Sequence, residues 1–313
     1  MGKRLLVFGS YVTDLCGRTD RFPEAGETVK GRTFQMGPGG KGSNQAVAAK
    51  RAGADVTFIT RLGADPLGRQ ALDFYRSEGM DTGHIIIDPD QPTGAALITV
   101  NETDAQNEIV VVGGACEHFT AKEIGDILPC LERAELLLLQ LETNLEPVEA
   151  LLGQARSRGV LTILDPAPAR PLGEAYFASV DILTPNETEA QALTGIRADD
   201  REGARAAARA LLAKGVGKVV ITLGGDGCYA CDGREERFFP PVSCGTVVDT
   251  TGAGDAFSGG MAAALAEGME FFDAVLFGTV TAGLAVTRQG TAPAMPSGAE
   301  IWPIYRKIRD RGN

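Results

Sequence analysis

The strongest constraint on this 313-residue chain is a series of short, unbroken apolar runs at residues 5–8, 56–59, 136–139, 160–164 and 219–222. Runs without polar alternation suit strands buried on both faces, as in a parallel sheet covered by helices. Helical stretches lie between them. Residues 43–52 and 203–214 are rich in alanine, the former behind Ser43 as a candidate N-cap. Residues 66–78 and 147–158 each begin with a proline, whose missing N–H does no harm in a first helical turn. This alternation predicts an α/β fold, a central and mostly parallel sheet flanked by helices.

Two segments break the rhythm. Residues 11–36 alternate polar and apolar positions around Pro23 and Gly26, with no helical pattern. Residues 95–100 and 108–112 read as two strands joined by a polar turn at 101–106. Strands inserted away from the helices predict a small β-sheet lid that excludes water from a site beneath it. No linker, repeat or low-complexity tract interrupts residues 1–313, which are read as a single domain.

Composition narrows the function. The chain has 41 acidic and 30 basic side chains, a net charge of −11, which argues against a nucleic-acid partner. Phosphate ligands stay open, because backbone amides and a metal ion can hold them without basic side chains. The first apolar run is too short for a signal peptide, and the charge-free stretch 274–287 falls short of the ~20 residues of a membrane span. The expectation is a cytoplasmic protein with no membrane partner. Cys228 and Cys231 form a lone C-x-x-C in an expected strand, where positions three apart face opposite ways. They are read as structural, not as zinc ligands.

Forty glycines are far more than the ~7% of an ordinary chain, and no Gly-X-Y period explains them. They cluster. Gly37-Pro-Gly-Gly-Lys-Gly-Ser-Asn44 satisfies G-x-G-x-x-G but lacks the preceding buried strand and following acidic residue of a dinucleotide fold. A nicotinamide-dependent oxidoreductase is therefore the weaker alternative. Asp249-Thr-Thr-Gly-Ala-Gly-Asp-Ala-Phe257 opens a helix expected over 253–267, whose first turn would aim free N–H groups at an anion. Asp255 inside that anion site reads either as a complement to the helix dipole or as a general base beside a phosphoryl-transfer site. Thr222-Leu-Gly-Gly-Asp-Gly227 would lie beyond the carboxyl end of a buried strand, where open α/β sheets bind ligands. Asn186 and Glu189 are spaced either for a capping box or for a hydrated Mg²⁺.

Together these motifs resemble the ribokinase-like, or PfkB, family of carbohydrate kinases. The resemblance also includes Gln140-Leu-Glu142, Asp165-Pro-Ala-Pro-Ala-Arg170, Thr184-Pro-Asn-Glu-Thr-Glu-Ala190 and Ala285-Val-Thr-Arg-Gln-Gly290, and it spans nearly the whole chain. Gly40–Asn44 with Glu142 points to the ribokinase branch, which implies transfer of the γ-phosphoryl of ATP to the 5-hydroxyl of D-ribose. By this resemblance Asp255 is the base, and Gly252, Ala253 and Gly254 form the anion hole. ATP would meet Asn186, Thr222, Leu223, Gly224, Gly225, Asp226, Gly227, Gly254, Asp255 and Thr279. Glu189 would organise Mg²⁺ through water. The sugar would meet Asp14, Gly40, Lys41, Asn44 and Glu142, within segments that also carry Val12, Thr13, Gly42 and Ser43. A K⁺ site is implied at Asp249, Thr251, Ala285, Arg288, Gly290 and Ala294, and a homodimer through the lid.

The chain departs from the family twice. Val12 stands where Asn is usual, and Ala294 stands where Ser is frequent. Valine cannot serve a sugar hydroxyl, so 2-deoxyribose or another pentose is the alternative substrate. Ala294 removes one oxygen from the cation site. A non-catalytic sugar- or nucleotide-binding protein is a third reading, disfavoured because Asp255 and the anion-hole glycines are all present.

Overall fold

The computed structural model describes residues 3–103 and 106–312. The strands in chain order are β1 (Arg4–Phe8), β2 (Val12–Thr19), β3 (Thr33–Gly39), β4 (Asp55–Ile59), β5 (Arg61–Gly63), β6 (Ile86–Asp88) and β7 (Thr93–Asn101). They continue as β8 (Asn107–Gly114), β9 (Leu136–Leu139), β10 (Leu161–Leu164), β11 (Ile182–Leu183), β12 (Lys218–Thr222), β13 (Cys228–Cys231) and β14 (Glu236–Phe239). The helices are α1 (Lys41–Ala52), α2 (Pro66–Ser77), α3 (Ala121–Glu132), α4 (Leu145–Arg158) and α5 (Glu174–Phe177). After these come α6 (Glu187–Thr194), α7 (Arg201–Ala213), α8 (Ala253–Ala266), α9 (Phe271–Ala285) and α10 (Gly298–Gly312).

Eight strands form the central sheet in the order β14-β13-β12-β11-β10-β9-β1-β4. All pairs from β12 to β4 are parallel, and β13 and β14 add an antiparallel edge. The side-chain alternation of β1 shows why its run is apolar throughout. Leu5 and Val7 join one core with α1, α8 and α9, whereas Leu6 and Phe8 join the other with α3, α4 and α7. Cys228 and Cys231 split between the same two cores, and all six cysteines are free.

A second sheet, β3-β2-β7-β8, corresponds to the two inserted segments. It is the lid expected from residues 11–36 and 95–112; within the turn at 101–106, residues 104–105 lie outside the described residues. The outermost strand β8 exposes Ile109, Val110, Val111 and Val112, so neither of its faces is packed into a core.

One local expectation is corrected. Ser43 is not an N-cap: α1 begins at Lys41 with Gly40 as its N-cap, and Ser43 is fully buried, its hydroxyl accepting from Tyr75 at 2.9 Å. The backbone enters the helix early because Gly42 lies against Gly9 and Ser10, where a Cβ would meet backbone atoms at 2.6 Å.

Candidate active site

The carboxyl ends of the parallel strands deliver most of the candidate side chains. Ser10 follows β1, Gln140 and Glu142 follow β9, Asp165 follows β10, and Asn186 follows β11. Such ends are where open α/β sheets place their ligands. Helix α8 brings Asp255 to them, and its close packing on α1 needs Gly259, where a Cβ would lie 2.5 Å from the Gln45 carbonyl oxygen.

Asp255 is buried yet held by donors on both oxygens. Asn44 Nδ2 donates to Oδ2 at 2.8 Å and Gln45 Nε2 to Oδ1 at 3.0 Å. Asn44 Oδ1 is buried and has no partner among the described residues. An orphaned acceptor beside a carboxylate is costly, by about 1–3 kcal/mol, unless a hydroxyl completes it. Lys41 sits among four carboxylates: burial opposes its charge, but Asp255, Asp165, Glu142 and Glu189 outweigh that and hold its pKa above the ordinary lysine value. Glu142 Oε2 accepts from the Ser10 hydroxyl at 2.5 Å and from the Lys41 N–H at 2.8 Å, which ties the α1 entrance to β9.

Asp14 reaches the same space from the lid. Burial, with Glu142 and Asp255 nearby, pushes its carboxyl up to about 6, against the Thr291 hydroxyl 3.2 Å from its Oδ2. Val12 lies two residues earlier on the same side of β2 and is buried, with no polar atom to offer. Thr13 and Ser43 turn elsewhere. The Thr13 hydroxyl donates to Tyr11 Oη at 3.2 Å, and Ser43 is taken by Tyr75.

At the start of α8, Gly252 adopts φ +77°, a left-handed conformation that favours glycine. The N–H groups of Gly252 and Gly254 have no hydrogen-bond partner among the described residues, whereas that of Ala253 closes onto the Thr250 carbonyl at 3.2 Å. Of the three residues expected to form an anion hole, Gly252 and Gly254 keep a free N–H. On the nucleotide side Asn186 and Thr222 form a parallel bridge, and the loop Leu223 to Gly227 is closed by the Leu223 N–H on the Gly227 carbonyl. Gly224, Gly225 and Asp226 are exposed there. Thr279 is buried on α9, its hydroxyl donating to the Val275 carbonyl.

Asn186 and Glu189 do form a capping box: Asn186 Oδ1 accepts from the Glu189 N–H at 2.8 Å, and Glu189 Oε2 accepts from the Asn186 N–H at 2.9 Å. Burial raises the Glu189 pKa, and Lys41 and Asp255 both act on it, so it borders the same space. Among the described residues no group of three His, Cys, Asp or Glu side chains could enclose a metal ion. That donor set fits Mg²⁺ only as a hydrated ion carried with phosphates.

Asp249 links the two loops of the expected K⁺ site, accepting from the N–H of Thr251 at 2.9 Å and of Gly290 at 3.1 Å. Burial opposes its charge, but these bonds hold its carboxyl below the usual range. Arg288 pairs with Glu300, which leaves only its carbonyl for a cation. One ionised carboxylate among backbone carbonyls fits a large monovalent cation, with Ala294 adding no side-chain oxygen.

The G-x-G-x-x-G segment begins inside β3, an edge strand of the second sheet, and does not follow a buried parallel strand. The dinucleotide alternative lacks its structural context. Sequence reasoning gave no role to Gln45, Gln140, Asp165, Ser10 or Thr291. Two of them, Gln140 and Asp165, stood inside quoted motifs, and Gln45 directly follows a third.

Lid, anion hole and buried carboxylate define a class, a kinase acting on a hydroxyl compound. The pfkB family of carbohydrate kinases matches residues 3–298, and the chain belongs to that family as an ATP-dependent sugar kinase. It is 38% identical over 300 residues to the ribokinase of Haemophilus influenzae, covering 96% of this chain and 97% of that one. It is 34% identical over 294 residues to the deoxyribokinase of Salmonella typhi, covering 94% and 95%. The structure of Arabidopsis thaliana ribokinase complexed with ribose and ATP superposes with a TM-score of 0.89 at 29% identity, covering 98% of this chain and 99% of that one.

Proposed function

We propose that the enzyme phosphorylates the 5-hydroxyl of D-ribose with ATP. The observation that carries this reading is the polar ring of Asp14, Asn44 and Glu142 around Asp255, with Asn44 Oδ1 left without a partner. Neighbouring hydroxyls on one sugar supply both donors and acceptors to such a ring. Asp255 accepts the proton of the attacking hydroxyl as its oxygen bonds to the γ-phosphorus, and the bond from that phosphorus to the ADP oxygen breaks. The Gly252 and Gly254 amides take up the charge on the transferred group. Asn186, Thr222 and the loop 223–227 cradle the nucleotide, with Thr279 beside it. Glu189 would hold Mg²⁺ through water, and such an ion would supply neutralisation of phosphate charge. Asp249, with the carbonyls of Thr251, Ala285, Arg288, Gly290 and Ala294, would hold K⁺, whose charge would steady the loop leading to Gly252.

Val12 supports a second reading, 2-deoxyribose, in keeping with the similarity to the deoxyribokinase of Salmonella typhi. An apolar contact there leaves one hydroxyl of ribose without a protein partner, at about 1–3 kcal/mol if it is buried. Comparing kcat/KM for ribose, 2-deoxyribose, hexoses and nucleosides with ATP decides between them. The expected result is 2-deoxyribose within tenfold of ribose; a ribose advantage above tenfold removes the second reading, and no turnover of either pentose overturns the first. The same assay in KCl and in NaCl at one ionic strength reads the cation site, where equal rates would argue against K⁺.

The lid supports a homodimer. Leu97 and residues 109–112 form an exposed apolar strip on a sheet edge, the kind of surface that another copy of the sheet covers. Val110→Asp with Val112→Asp is expected to shift sedimentation from dimer to monomer. A wild-type chain that sediments as a monomer at micromolar concentration removes the dimer. No helix among the described residues is long and apolar enough to cross a membrane.

A further inference from the structure

Behind Asp255 lies a polar chain that touches no surface. Gln140 Nε2 donates to Gln45 Oε1 at 2.6 Å, and Gln45 Nε2 donates to both Asp165 Oδ2 at 2.6 Å and Asp255 Oδ1 at 3.0 Å. Gln45 is fully buried, and Gln140 and Asp165 nearly so. The direction of this chain is forced. Turning the Gln45 amide over would set its carbonyl oxygen against two carboxyl groups, so the NH₂ must face them and Oε1 must face Gln140. Gln140 then presents its NH₂ to Gln45, and its own Oε1 is left buried with no partner among the described residues. A core tolerates an unpaired acceptor only where the surrounding structure over-determines it.

We infer that Gln45, oriented by Gln140 and anchored on Asp165, is a positioning residue that fixes the Asp255 carboxylate for proton abstraction. The inference rests on Asp255 being the base. Asn44 holds one oxygen of that carboxylate and Gln45 the other, so losing Gln45 lets it rotate about its remaining bond. Burial and the neighbouring Glu189 and Asp255 raise the Asp165 carboxyl to about 7, against Lys41 and the Gln45 amide.

Gln45→Met, measured on the full-length kinase, is expected to lower kcat on the order of 10²-fold, the cost of a misplaced reacting group. KM for sugar and for ATP should stay within about threefold, because Gln45 reaches neither, and the acid limb of the kcat–pH profile should move up. Gln140→Met touches neither Asp255 nor the substrate space and should show the same split with a smaller loss. The double variant should lose no more than Gln45→Met alone. A kcat within threefold of wild type in either folded variant, or losses that multiply in the double variant, overturns the inference; if Gln45→Met does not fold, Gln140→Met decides. Asp255→Asn is run alongside. Turnover surviving in that variant removes the base itself, whereas a dead Asp255→Asn with a fully active Gln45→Met removes only the positioning role.

Discussion

Asp255→Asn lowers kcat on the order of 10³-fold, within the range for loss of a general base, while nucleotide affinity is unchanged within about threefold. The amide keeps the volume of the carboxylate but cannot take a proton from an alcohol. It also brings a second NH₂ into a space already filled by donors, Asn44 Nδ2 at 2.8 Å and Gln45 Nε2 at 3.0 Å. Gln45 cannot turn over, because its amide is locked between Gln140 and Asp165. Asn44 can, since its Oδ1 has no protein partner. The new NH₂ therefore settles against Asn44, and the acceptor offered to the sugar is lost with it. Sugar affinity should weaken by up to about tenfold, one hydrogen bond's worth. Steady-state release of ADP gives kcat, and calorimetry with sugar and with ADP gives the two affinities. Turnover within tenfold of wild type would take Asp255 out of the base role.

How far the sequence could be read differs between fold and site. The runs at 5–8 and 136–139 announce strands because both faces of β1 and β9 meet apolar cores, so no polar residue is tolerated on either side. The second sheet is legible for the opposite reason, as β2 and β7 are largely half-buried and mix polar with apolar residues. Helix starts are less legible. Ser43 before an alanine run is a sound local signal, yet the contact of Gly42 with Gly9 and Ser10 starts the helix earlier and turns Ser43 inward. That contact joins residues 33 apart, which no local pattern contains.

The proposed anion hole rests on local chemistry: glycine at 252 and 254 and the helix that starts between them are contiguous. Ala253 shows the limit, since only the fold reveals that its N–H is spent on Thr250. The support behind Asp255 was not legible. Gln45 meets Asp165 120 residues away and Asp255 210 residues away. An isolated glutamine in an alanine-rich helix reads as a surface position, and only the convergence of two strand ends, after β9 and β10, with the start of α8 makes it buried. Asn186 and Glu189 form the capping box, and the proposed contact to a hydrated Mg²⁺ would use the carboxylate oxygen that the box leaves over.

Gly254→Ala separates binding of the transferred group from packing, because it moves stability and activity in opposite directions. Position 254 is the second residue of α8, and a Cβ built there meets no atom within 4 Å, so the free enzyme accommodates a methyl group without strain. Alanine is favoured over glycine in a helix by up to about 1 kcal/mol, so Tm should hold or rise. In a helix the Cβ leans toward the N-terminus, which here is the mouth formed by the unpaired amides of Gly252 and Gly254. The methyl group then occupies space that the transferred phosphoryl group needs, and kcat should fall about 10²-fold, as for loss of one oxyanion donor. Gly259→Ala is the contrasting case. Its Cβ would meet the Gln45 carbonyl oxygen at 2.5 Å and Ala48 Cβ at 2.6 Å, so Tm falls and activity falls only with it. Thermal melts beside kcat for the two variants read the difference. A Gly254→Ala enzyme with kcat within threefold of wild type would place the anion hole elsewhere. The open space at 254 has no packing reason, since glycine there costs helix stability and relieves no contact.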